Sequence, residues 1–284
     1  MSREYHYLVA GLPDLLIDDS KLSFDGIAFR ELLKENVSSE DFNVIKLYFW
    51  RFDNQNILNK LQHQEAPLDP RGNLTESEID DLFTAQKEDS LHTLGDIPPY
   101  MGKFIQAYKE ETDIYKEKNW DLQLSQLYFE FIISSSKGFI RNWFSFELDL
   151  LNILTAAKCR LHELNVEKQL IGSGDIVEKL SRSNAKDFGL DNEFPMLNEI
   201  QKALDESDPL EQEKKIDILK WNFIDENVFF YYFTIEKLFS FLLKLSLVER
   251  WLALDKETGK KLFNELLDNL EASYEFPKEF IIKK

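Results

Sequence analysis

One stretch, Trp143 to Leu161 (WFSFELDLLNILTAAKCRL), constrains this chain more than any other. Trp143, Phe146, Leu150, Leu154, Ala157 and Leu161 recur at steps of three and four, and Phe144, Leu148, Leu151 and Ile153 fill most of the other side. A helix that is apolar almost all round belongs in the middle of a core, not on its surface. Its few polar residues are Glu147, Asp149, Asn152, Thr155 and Lys158. Asp149 and Asn152, three apart, share one face.

Part of this stretch occurs earlier in the chain. Phe52-Asp53-Asn54-Gln55-Asn56-Ile57-Leu58 and Leu148-Asp149-Leu150-Leu151-Asn152-Ile153-Leu154 both read apolar-Asp-x-x-Asn-Ile-Leu, 96 residues apart. Aromatic residues precede each copy (Phe49 and Trp50; Phe144 and Phe146), and a basic residue follows, Lys60 or Lys158. Each then leads to a glycine loop and a short helix, Gly72-Asn73-Leu74 and Gly174-Asp175-Ile176. A decayed third copy is read in Tyr232 to Phe239, with Glu236 for the Asp, Phe239 for the Asn, and Gly259 after it. A period near ninety residues exceeds the roughly 20–50 of common solenoids and matches a unit of several helices. The expectation is an all-α body of three related helical bundles, residues 1–92, 93–187 and 188–284. The Asp-x-x-Asn pair has two readings: it locks neighbouring helices through hydrogen bonds, or it supplies ligands. With no His nearby and one copy per bundle, the structural reading is favoured.

The other segments also read as helices, with no strand alternation of any length. Expected are Asp25–Asn36, Asp41–Leu61 after the capping cluster Ser38-Ser39-Glu40-Asp41, and a helix to about Lys87 from the capping box Thr75-x-x-Glu78. Tyr100–Tyr115 and Asp121–Ser135 follow Pro98-Pro99, and Ile176–Leu180, Pro195–Leu204 and Leu210–Trp221 follow the central stretch. Phe229–Leu254 and Lys260–Leu270 complete the series, ahead of a tail over residues 274–284 with Pro277 and Lys283-Lys284. Ala66–Asn73 is a loop, residues 181–193 are polar and irregular, and the early apolar residues around Tyr5–Ala10 tuck against the core.

Composition narrows the function. With 52 acidic against 34 basic residues the formal charge is −18, which repels nucleic acid and anionic headgroups over the average surface. The single Cys159 allows no disulfide within the chain and suits a reducing compartment. The N-terminus does not read as a signal peptide, its apolar run being broken by His6, Pro13 and Asp14. The most apolar window, Phe229 to Val248, holds Glu236, Lys237 and Lys244. Each charge costs roughly 2.5–3.5 kcal/mol near a bilayer centre, so a buried helix is expected and no transmembrane span.

No chemical motif emerges. His6, His63, His92 and His162 are scattered without a paired metal spacing. Cys159 has His162 one turn on, but it lies in the most apolar helix and reads as a packed thiol. Gly172-Ser173-Gly174-Asp175 lacks the strand before and the Lys-Ser/Thr after that a phosphate loop needs. Ser134-Ser135-Ser136-Lys137-Gly138 reads as a break between helices. No catalytic residue, metal or cofactor is assigned.

The chain resembles the C/d family of V-type (A/V-type) ATPase subunits, designated C in prokaryotes and d in eukaryotes. Tyr5, Tyr7, Leu8 and Ala10 fit the family's N-terminal Tyr-x-Tyr-Leu-x-Ala, Glu147, Asp149 and Asn152 fit its repeat helix, and Leu170-Ile171-Gly172-Ser173-Gly174 resembles the glycine loop after it. Gly11 stands where the family has an Arg, and Lys158 and Arg160 match its basic positions only loosely. A divergent, uncharacterised bacterial group associated with V-type ATPases is more similar, since its members begin with a YYLVAGLPDL-like stretch. The resemblance implies a funnel-like body with pseudo-threefold symmetry on the cytoplasmic face of the membrane. It implies partners, the central-stalk rotor subunits and the membrane ring, between which torque passes without catalysis. The alternatives are a free-standing helical adaptor and an enzyme of unrecognised class.

Overall fold

Helices begin where the caps were expected and bury the faces that the apolar spacing marked. The computed structural model describes residues 3–254 apart from 65, 85–96, 184, 186, 191–193 and 195. Among these there are twelve helices and no strand. They are α1 (His6–Ala10), α2 (Gly26–Asn36), α3 (Ser39–Leu61), α4 (Glu76–Thr84), α5 (Pro99–Lys109), α6 (Trp120–Ser135), α7 (Gly138–Leu161), α8 (Val166–Gln169), α9 (Asp175–Arg182), α10 (Leu197–Leu204), α11 (Pro209–Val228) and α12 (Ile235–Ala253). His92, residues 85–87 of the α4 segment, Pro195, Gly259, the 260–270 helix and the tail lie outside the described residues, as does the expected boundary at 92/93.

The caps are side-chain hydrogen bonds. Ser38 accepts from Asp41 N–H at 3.2 Å to open α3. The Thr75 and Glu78 side chains each accept from the other's backbone N–H, at 3.3 and 2.8 Å, closing the box before α4. Asp25 accepts from Ala28 N–H at 2.8 Å at the head of α2. Each bond satisfies a donor that the first turn leaves without a partner.

The central stretch is central. α7 packs against α6, α8, α9, α11 and α12, and Phe144, Ile153 and Ala156 are fully buried. α3 packs on α2, α5, α6 and α12. Leu161 departs from the expectation and is exposed, because the chain reverses just beyond it through Glu163, φ +55°.

Three boundaries also differ. α5 stops at Lys109 rather than near Tyr115, since Glu111 takes φ +51° and Gln123 claims the following loop. The Gln123 carboxamide accepts from Ile114 and Tyr115 N–H and donates to Asp113 and the Lys118 carbonyl. α11 runs past Trp221 to Val228, and α12 begins only at Ile235, so Phe229–Thr234 is a link and not helix. Finally, the irregular segment after α9 buries Phe188 and Leu190 in the core.

Among the described residues no helix is long and apolar enough to cross a membrane. Lys244, expected to forbid a span, ion-pairs with Asp225 at 2.5 Å and lies over the Trp221 ring at 4.4 Å.

Candidate functional site

The two Asp-x-x-Asn copies do the same structural work at Asn. Asn56 accepts from Asp69 N–H at 2.8 Å and donates to the Asp69 carbonyl at 3.2 Å. Asn152 accepts from Ile171 N–H at 2.8 Å and donates to the Ile171 carbonyl at 2.9 Å. A carboxamide offers one acceptor and one donor side by side, the complement of one residue's own N–H and C=O. The clamped residue stands three before the glycine in both cases, Gly72 and Gly174. The loop in the second copy is six residues longer, and the clamp absorbs the difference.

The two Asp residues have diverged. Asp53 is fully buried and accepts from the N–H groups of Asn73 and Leu74 at 2.8 and 2.9 Å, and from the Asn73 side chain at 3.1 Å. Burial still pushes its carboxyl up to about 6 against the pull of those bonds. Gly72 is required there, because a Cβ would lie 2.6 Å from Asp53 Oδ1. Asp149 is half-buried, and burial alone raises its carboxyl to about 6, with no hydrogen bond opposing it. Gly174 takes φ +124° and has open space around it. The second glycine therefore serves the turn, whereas the first serves close approach.

Glu236 does not fill the role given to it in a third copy. It lies in the first turn of α12, bonded to Thr234, whereas Asp53 and Asp149 sit well inside their helices. The acidic residue of α12 that does hold another segment is Glu249, which accepts from Gly26 N–H at 2.7 Å at the start of α2. Glu249 is the fifteenth residue of its helix, as Asn152 is of α7.

Glu147 pairs with a residue that sequence reasoning passed over. Arg51 grips it with both terminal nitrogens, at 3.2 and 2.9 Å. Arg51 and Glu147 are themselves 96 residues apart, so equivalent positions of the two copies face each other. The repeat offset, applied to Glu147, would have found Arg51. The guanidinium also lies over the Tyr48 ring at 4.4 Å.

This pair forms part of a cavity of about 300 Å³ between α3, α6, α7 and α11. Leu58, Leu124, Leu150, Leu151 and Leu154 supply its apolar wall, and Asn54, Gln55, Asp121, Ser125, Tyr128 and Lys220 its polar positions. Asn54 accepts from Tyr100 at 2.8 Å, and Lys220 bonds the buried Asp217 at 3.1 Å, so both are already committed inside the protein. The exposed residues of the lining are Gln55, Asp121 and Leu151. An apolar wall beside a half-buried ion pair, with Gln55, Asp121 and Leu151 exposed, suits an inserted apolar side chain.

Reactive arrangements are sparse. Among the described residues no group of three or more His, Cys, Asp or Glu could hold a metal ion. Cys159 is buried, and burial raises its thiol above the ordinary range, away from the thiolate. The segment Gly172–Gly174 is a turn held by Asn152 through Ile171, and Ser136–Lys137 is the break between α6 and α7, which opens on Gly138 at φ +53°.

The chain belongs to the family described as Protein of unknown function (DUF2764), whose model matches residues 1–274. No curated protein and no solved structure matches it.

Proposed function

We propose that this chain is a non-catalytic coupling component of a V-type ATPase, seated between the central-stalk rotor subunits and the membrane ring on the cytoplasmic face. The observation that carries the proposal is the cavity where repeat-related positions Arg51 and Glu147 meet. It is a socket without chemistry. Arg51 and Glu147 are paired with each other, the apolar wall is leucine with Phe129, and the exposed Gln55, Asp121 and Leu151 suit docking. The stalk tip enters this socket.

The body is read as three related units arranged with pseudo-threefold symmetry. α3 precedes the Gly72 loop and α4, α7 precedes the Gly174 loop and α9, and α12 meets the Gly26 turn and α2 from the other end of the chain. Asn56, Asn152 and Glu249 each hold one of those turns, and Asp53 adds a second hold on the first. The last unit thus holds α2 of the first unit. The resemblance at Tyr5, Tyr7, Leu8 and Ala10 supports the same family.

The test is affinity purification of the tagged chain from gently solubilised native membranes, with co-eluting proteins identified by mass. Catalytic-head, stalk and ring subunits are expected together, and Leu151→Asp at the mouth is expected to release the stalk. Recovery of the chain alone, or with unrelated proteins, overturns the proposal. A second reading, a free-standing adaptor, is favoured by exposed rings on the α11–α12 link, none of which lines the socket. It predicts unrelated partners in the same experiment.

A further inference from the structure

The run Asn227 to Ile235 (NVFFYYFTI) has no charged residue in a chain that is 30% charged. Its rings face water: Phe229 is 65%, Phe230 81% and Tyr232 62% exposed. Phe229 and Phe230 meet edge to face with centroids 5.1 Å apart. The N-terminal segment extends the patch. Tyr7 is 90% exposed, the neighbouring His6 ring packs on Phe233 at 4.1 Å, and Tyr5 N–H donates to the Phe233 carbonyl at 2.6 Å.

Of the four longest described helices, α3, α7 and α12 begin at this end and α11 ends there. Tyr5 bonds Asp41 and accepts from Ser38 N–H at the head of α3. Tyr231 leads into α12, and its hydroxyl would lie 3.3 Å from a Cβ on Gly138 at the head of α7. Neither Lys137 before α7 nor Thr234 before α12 caps its helix with a side-chain bond. Two helix N-termini with their positive dipole ends therefore stand beside the rings, together with the negative C-terminal end of α11 at Val228, a pairing of signs that a zwitterionic headgroup also carries. The flanking charges are of both signs, Arg3, Lys137 and Lys237 with Glu4, Asp225, Glu226 and Glu236.

Phosphate groups next to an apolar layer complement that combination. Helix N-termini attract phosphate, and amphipathic or aromatic rings settle at the boundary of headgroups and acyl chains. We propose that this end of the molecule docks on the zwitterionic surface of a lipid bilayer, with Phe229, Phe230 and Tyr232 inserted at headgroup depth and Tyr7 alongside. The proposal deepens the rotor reading by naming lipid as a contact of the membrane-facing end. Its test needs no rotor component, so the two can fail separately.

The full chain is mixed with protein-free phosphatidylcholine vesicles and sedimented. The chain is expected to pellet with them, and Phe229→Ser/Phe230→Ser/Tyr232→Ser to partition more weakly by roughly tenfold or more. Phe230→Ser alone, expected to lose several-fold, serves if the triple variant does not retain the helical circular dichroism of the parent. Added anionic lipid is expected to weaken binding, given the −18 charge. The proposal is overturned if the parent chain stays in the supernatant, or if the variants pellet as it does. It is equally overturned if they lose only a protein partner, which would make this end a protein-docking surface.

Discussion

Replacing Asn152 by Ala removes both halves of the clamp on Ile171. Asn152 is 1% and Ile171 3% exposed, so water does not take the place of the carboxamide without a new cavity. Leaving a buried donor or acceptor unpaired costs about 1–3 kcal/mol each. Allowing for partial relaxation of the loop, the expected loss is about 2–4 kcal/mol. For a chain of this size 1 kcal/mol moves the melting midpoint by about 2–4 °C, so the midpoint should fall by about 5–15 °C. Asn56→Ala is the internal control. Asn56 makes the same two bonds, but Asp69 is half-exposed and water can reach it, so about 1–2 kcal/mol is expected. Urea unfolding followed by circular dichroism, with slopes compared before midpoints are converted, measures both. A cost below about 0.5 kcal/mol for Asn152→Ala, or a larger cost for Asn56→Ala than for Asn152→Ala, would refute the reasoning.

Three further outcomes are expected. Arg51→Glu and Glu147→Arg each set like charges against one another at the cavity and should destabilise by about 1–3 kcal/mol, while the double reversal recovers at least about 1 kcal/mol in a mutant cycle; additive losses would show that the pair is not coupled. Gly72→Ala forces a Cβ to 2.6 Å from Asp53 Oδ1 and 3.1 Å from Asn56 Nδ2, and should cost about 2–3 kcal/mol. Gly174→Ala meets no atom and should cost only the backbone strain of φ +124° with ψ −179°, about 1–3 kcal/mol; in mutant cycles with Asp53→Ala, coupling is expected for Gly72→Ala and none for Gly174→Ala, and equal coupling for the two would count against the distinction. Burial raises the Asp149 carboxyl from 3.8 to about 6, so the folded state holds its proton more tightly than the unfolded chain. Stability from this group is therefore full below about pH 4, is lost as pH rises through 6, and stays lost above it. Asp149→Asn should gain about 1–3 kcal/mol at pH 8 and nothing near pH 4, and a pH-independent effect in denaturant titrations would exclude this origin.

The helices were legible because their information is local. Spacing of apolar residues and the caps at Ser38, Asp25 and Thr75 act within a few positions of themselves. The central place of α7 was legible too, since an all-round apolar surface leaves no alternative. What failed was local information that tertiary contacts overrule. Phe229–Thr234 is apolar enough to extend α12, yet Tyr5 holds the Phe233 carbonyl and Tyr231 packs on Phe139, so the link stays open. Glu236 matched a short motif, but its position in the first turn gives it a different job. In the candidate site, Asn56 and Asn152 were read as locks between neighbouring helices, whereas each holds the backbone of a loop residue, Asp69 or Ile171, a partner invisible in sequence. Arg51 was within reach of the repeat offset, whereas Glu249 was not, because its partner Gly26 lies 223 residues away.

The meeting of Arg51 with Glu147 has a consequence for how such a chain can change. Residues at matching positions of two copies would begin identical if the copies arose by duplication, and identical charges at this contact repel. One copy must then have altered before, or together with, the closing of the contact. Since that step the halves are complementary, like a key and its lock. A chimaera carrying the α3 sequence twice would set Arg against Arg, and one carrying α7 twice would set Glu against Glu. The lineage can exchange the two charges, but it cannot make the two positions identical while keeping the ion pair.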